Sequence, residues 1–110
     1  LGHVVDTERI FGARALCFAR GEQTPLPPFE QDEYVRSAGF DKRSLSSLSK
    51  EFEAVRRSTE CMFDGFDEQQ WNRGGVANEA NMTVRAVAFI VAGHAAHHLA
   101  VIRDRYLGDQ

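Results

Sequence analysis

Three of the four histidines fall in one stretch, Gly93-His94-Ala95-Ala96-His97-His98. His94 and His98 are four residues apart. On a helix such positions are neighbours, with Cβ atoms about 5–6 Å apart. Two imidazoles at that spacing can share one zinc or other transition-metal ion through metal–nitrogen bonds of about 2.0–2.1 Å. At 100° per residue with His94 at the origin, Val87 falls near about 20°, His98 near about 40°, Val91 near about 60° and Val84 and Ile102 near about 80°. Arg85 and Arg103 fall on the opposite side, near about 180°. His94 and His98 therefore lie on the apolar stripe, and His97, near about 300°, lies at its edge. A buried polar group without a partner costs about 1–3 kcal/mol. A bound metal is one partner for this pair, and hydrogen bonds to other core side chains are the other.

These histidines need a rigid helix, and the run from Val84 to Ile102 supplies one. A first helix is expected over Leu1–Arg20, with His3, Thr7, Ile10, Arg14 and Cys17 along its inner stripe and Val4, Phe11 and Phe18 beside it. Its early acids Asp6 and Glu8 and later Arg14 and Arg20 suit the helix dipole, and Gly21 is placed to end it. An arginine on an inner stripe either pairs with a carboxylate, reaches a ligand, or lays its stem along the edge and keeps its head in water. Glu22 to Phe40 is a connection, since Pro25, Pro27 and Pro28 forbid a regular helix. A helical turn is expected over Asp32–Ser37, with Tyr34 and Val35 packing down. Tyr34 could line a pocket or simply anchor the loop.

Asp41 or Ser44 caps the next helix. Leu45, Leu48, Phe52, Val55, Thr59, Met62 and Phe66 repeat at alternating three- and four-residue steps, the seam of a bundle helix. Lys50, Glu51, Glu53, Arg56, Arg57 and Glu60 are expected outside. Asp64 to Asn81 is a second connection, broken by Gly65, Gly74 and Gly75, with a turn of helix over Asp67–Gln70 that tucks Trp71 against the core. Asn81-Met82-Thr83 reads as an N-cap cluster. Three amphipathic helices imply an antiparallel, all-α bundle, with residues 1–110 forming one domain.

The 110 residues are 43% hydrophobic and 26% charged, as in ordinary globular chains. A net charge of −3 argues against a nucleic-acid partner, which needs a basic face. No apolar run approaches the roughly 18 residues of a membrane span. Cys17 and Cys61, with no CxxC, are expected as free thiols in a cytoplasmic protein.

The ordered combination of His3-Val4-Val5-Asp6-Thr7-Glu8-Arg9-Ile10-Phe11, Ala15–Gly21, Asp32-Glu33-Tyr34-Val35, Ala38-Gly39-Phe40, and Thr83-Val84-Arg85-Ala86 through Gly93-His94-Ala95-Ala96-His97-His98-Leu99 resembles the DinB/YfiT-like family. The likeness spans nearly the whole chain. It implies an up-down four-helix bundle whose divalent metal is held by one histidine of the second helix and an HxxxH pair of the last. Carried over, the ligands are His3, His94 and His98, with His97 a neighbour. The chain then supplies about three helices, the family's first lying ahead of Leu1, and an exposed seam favours a homodimer.

Three neutral imidazoles leave a fourth position for water or substrate. The resemblance implies a metal-dependent enzyme, because family members include thiol transferases and a thiol-dependent isomerase that use bacillithiol- or mycothiol-type cofactors. A zinc or nickel ion activating a low-molecular-weight thiol is the expected chemistry. A metal-dependent hydrolase and a non-catalytic metal-binding or dimerising bundle are the alternatives. No residue declares itself a general base. Asp6 lies about 60° and Glu8 about 140° from His3 on the wheel, so Asp6 is the better outer partner for its imidazole. Thr7, Arg14, Tyr34 and His97 complete the expected surroundings.

Overall fold

The computed structural model describes the backbone of residues 2–102 and the side chains of residues 2–30, 32–94 and 96. Three long helices dominate: α1 (Gly2–Ala19), α3 (Leu45–Asp64) and α5 (Val84–Ile102). Between them lie α2 (Gln31–Ala38), a 3-10 turn (Phe40–Lys42), the short α4 (Glu68–Asn72) and two strands, β1 (Gly74–Ala77) and β2 (Ala80–Thr83). The molecule is mainly helical, as the periodicity requires.

α1 is the central element, packed against both α5 and α3. Near one end His3 meets His94. Near the other, Ala15, Phe18 and Ala19 join Val84, Val87 and Val91 in the core. α1 and α5 therefore run antiparallel. α3 departs from that order. Glu51 pairs with Arg9, and Met62 and Phe63 pack on the cluster around Phe18, so α3 runs in the same direction as α1. The Pro-rich connection is long enough to carry the chain back to the end where α1 began.

Packing on two sides widens the buried face of α1. Thr7 and Arg14 of the expected stripe and Val4 and Phe18 beside it are buried, and so are Val5, Ala15 and Ala19, whereas Ile10 and Cys17 of the stripe are only half-buried. On α3, Leu48, Val55 and Thr59 are buried as the seam predicts, but Leu45 is 67% exposed. Thr59 is tolerated inside because its hydroxyl donates to the Val55 carbonyl at 2.9 Å. Ser44, not Asp41, caps α3, accepting from the Ser47 amide at 3.0 Å. Tyr34 and Val35 do not pack down; both are exposed.

Before α5 the sequence hides a hairpin. β1 and β2 pair antiparallel, with Ala77 opposite Ala80. The link is Asn78-Glu79, both at positive φ, 50° and 64°. Such two-residue turns normally announce themselves as Asn-Gly or Asp-Gly, and glutamate in the second place conceals this one. Gly75 lets β1 lie on the core, since a Cβ there would come within 2.5 Å of the Phe18 ring. Asn81, Met82 and Thr83 are thus strand residues, although Thr83 still caps α5 by accepting from the Ala86 amide at 3.1 Å. Asp67 and Gln70 form a reciprocal cap on α4, which holds Trp71 stacked on Phe63 with centroids 5.3 Å apart.

The Pro-rich connection is stitched to this hairpin. The Leu26 amide donates to the Val76 carbonyl at 2.8 Å, and the Asn78 amide to the Leu26 carbonyl at 3.2 Å. Among the described residues no helix is long and apolar enough to cross a membrane. Cys17 and Cys61 are free thiols.

Candidate functional site

Antiparallel packing of α1 on α5 brings together two histidines 91 positions apart in the chain. The His3 and His94 ring centroids are 5.2 Å apart, with the rings at 74°. Both are half-buried. The two helices that carry them bury Val87 and Val91 on α5 and Val4 and Val5 on α1.

The ring centroids, 5.2 Å apart, are close enough for one ion to reach a nitrogen of each ring, with metal–nitrogen bonds of about 2.0–2.1 Å. Imidazole nitrogens are also the right donor type for zinc or nickel.

α5 continues without a break through Ile102, so the backbone at position 98 lies one turn beyond His94. The side chains of His97 and His98 lie outside the described ones. Among the described residues no group of three or more histidine, cysteine or carboxylate side chains is arranged to hold a metal ion.

The surroundings of His3 come from α1 itself. Thr7, one turn on, places Oγ1 3.5 Å from Nδ1 of His3. That hydroxyl can accept from an Nδ1–H and so fix the tautomer that leaves Nε2 as the donor nitrogen. Asp6 is half-buried. Burial and, after it, the Glu51 carboxylate push its carboxyl above the ordinary range, against the opposing charges of Arg9, His3 and Arg43.

Glu51, expected on the outside of α3, is the hub of a network. It accepts from Arg43 at 2.6 Å and Arg9 at 3.1 Å, while Arg43 also donates to the Ser47 hydroxyl at 2.7 Å. These bonds hold the Glu51 carboxyl below its usual value, Arg43 contributing most. Arg43, Ser47 and Glu51 repeat every four residues, the one signal in the sequence that could have found this network.

Glu8 takes a different role. Its side chain is 2% exposed and binds Arg56, with the shortest contact at 2.6 Å. Arg56, expected on the outside, is instead half-buried over the Phe52 ring, 5.3 Å from its centroid. The Glu8 carboxylate raises its guanidinium above the ordinary value. This pair fixes α1 against α3.

Arg14 and Tyr34 are not brought to the histidines. Arg14 lies 11 residues along α1 from His3, about 16 Å at 1.5 Å per residue. It donates to the Pro27 carbonyl at 3.0 Å and sits 4.9 Å from the Phe11 centroid. Tyr34 rests edge-on against Phe29, with centroids 5.3 Å apart. The two share a separate groove between α1 and the Pro-rich connection.

The architecture is thus a helical bundle with an imidazole pair between its first and last long helices. The DinB superfamily model matches residues 1–102, and the chain belongs to that superfamily. No curated protein and no solved structure matches the chain.

Proposed function

We propose that this protein is a divalent-metal-dependent enzyme that activates a low-molecular-weight thiol for transfer, with His3, His94 and His98 as ligands to zinc or nickel. The observation that supports this most is the approach of His3 to His94 across two antiparallel helices, at a spacing that one ion can bridge. When bound, such an ion supplies a Lewis acid that lowers the pKa of a thiol or water at the open position. Thr7 orients the His3 ring. Asp6, one turn from His3 on α1 with its carboxyl raised by burial and Glu51, is assigned as an outer partner of the site. The α1–α3 ion pairs hold the helix that carries these three residues.

Neutral imidazoles cancel none of the ion's charge, which favours a thiolate as the remaining ligand, and soft sulfur suits zinc and nickel. A homodimer is part of the reading, supported by Phe89, 74% exposed on α5. A cytoplasmic location is supported by the two free thiols.

The test is elemental analysis of protein purified without a histidine tag, followed by cobalt substitution. One equivalent of metal, and thiolate charge-transfer bands on adding a small thiol, are expected. A cobalt protein that ignores thiols but hydrolyses activated esters would replace this reading with a metal-dependent hydrolase. Metal fully ligated by protein, with neither activity, would leave a structural bundle.

A further inference from the structure

The groove beside Arg14 is separate from the histidines, and its chemistry differs. It has a volume of about 240 Å³ and is lined by α1 and by residues of the stretch 26–34. Its walls are mostly apolar, with Ile10, Leu26 and Phe29 among them, and among the described residues its lining includes no carboxylate. Among the described residues Arg14 is the one charged group in that lining. Arg14 is only 6% exposed.

A guanidinium taken out of water normally brings a counter-ion with it, because its charge is costly to bury unpaired. Arg56 has Glu8, and Arg43 has Glu51. Among the described residues Arg14 has no carboxylate partner; its hydrogen bond goes to the neutral Pro27 carbonyl. The Phe11 ring covers one side of it. A guanidinium has five N–H donors, and no buried side-chain nitrogen among the described residues is left without a partner. Its remaining donors therefore keep some exposure, and Arg14 is among the residues that line the groove. Burial alone pushes the Arg14 guanidinium down from its ordinary value.

We propose that this groove is a second ligand site, which takes a small monoanionic carboxylate with an apolar body, anchored on Arg14. One cation matches one negative charge, and a planar carboxylate fits the guanidinium fork. A phosphate dianion would need a second cation, which the lining lacks among the described residues. The volume is below the roughly 300 Å³ at which drug-sized pockets begin, so the body is about one ring or a short chain. Phe29, Tyr34 and the prolines would face it. The site stands apart from the metal reading and does not depend on it.

Benzoate is the probe, and the Nε–H resonance of Arg14 in a nitrogen-15 spectrum is the readout. Benzoate should move that resonance saturably, and bind at least about tenfold more tightly than the neutral benzyl alcohol. Ile10→Glu places a carboxylate four residues ahead of Arg14, the favoured order for a helical ion pair. That variant should fold and lose benzoate binding. Equal affinity for benzyl alcohol, or no movement of the Arg14 signal, would overturn the proposal. So would inorganic phosphate binding as tightly as benzoate at matched ionic strength, or undiminished benzoate binding by folded Ile10→Glu.

Discussion

Removing the Glu8 carboxylate should be among the most damaging single changes away from the apolar core. Glu8 is 2% exposed at its side chain and Arg56 29%, so Glu8→Ala removes the deeply buried partner and leaves a cation that can only partly regain water. Breaking a buried pair from one side costs about 3–5 kcal/mol. The partial exposure of Arg56 places this case at the lower end, about 3 kcal/mol. At about 4–8 °C per kcal/mol for a domain near this size, the midpoint should fall by at least about 12 °C. Thermal and urea unfolding followed by far-UV circular dichroism measure both. Most of the loss is the uncompensated charge rather than the bond itself. The double variant Glu8→Leu with Arg56→Met should therefore return to within about 1 kcal/mol of the parent. A Glu8→Ala cost below about 1 kcal/mol, the range of exposed pairs, would refute the argument that this pair fixes α1 on α3.

His94→Ala and His98→Ala should each abolish stoichiometric metal in elemental analysis, while His97→Ala should retain most of it; the reverse pattern would break the ligand assignment. Gly75→Ala would set a methyl 2.5 Å from the ring of fully buried Phe18, and overpacking of this kind costs about 1–3 kcal/mol, measurable as a lower urea midpoint. Asp6→Asn tests the raised carboxyl. A carboxyl raised on folding adds stability at low pH, and that stability is lost as the pH rises through its folded value. The variant should therefore gain on the parent at pH 7 and lose that advantage towards pH 3, as read from melting midpoints across the range. A constant difference at all pH values would rule out the electrostatic cause.

Much was legible along the chain because helices are local. The three long helices follow from apolar residues repeating every three or four positions; Gly21 and Ser44 mark the end of α1 and the start of α3, and Asp67 the start of short α4, through side chains or backbone angles that act within a few residues. The sharing of one face by His94 and His98 is also a local matter, since rotation per residue is fixed by the backbone. The family resemblance was legible for the same reason, being carried by ordered short motifs. It was the resemblance, not periodicity, that singled out His3.

Tertiary structure alone decided what crosses between elements. Periodicity contains no direction or stagger, so the parallel run of α3 along α1 and the meeting of His3 with His94 are properties of packing. The same limit hid the roles of the charges. Glu8 and Arg56 look like surface residues on their own helices, and only the approach of two helices makes a carboxylate 2% exposed affordable beside a guanidinium. The hairpin was concealed because Glu79 occupies a positive-φ position that glycine usually signals. Its place is held by contacts to Leu26 and Phe18, more than 45 residues earlier in the chain. Arg14 is the converse case. Its inward position could be read from the helical repeat, but whether a counter-ion awaited it depended on a Pro-rich segment whose path no local rule prescribes. The fold brought it a carbonyl and an open groove.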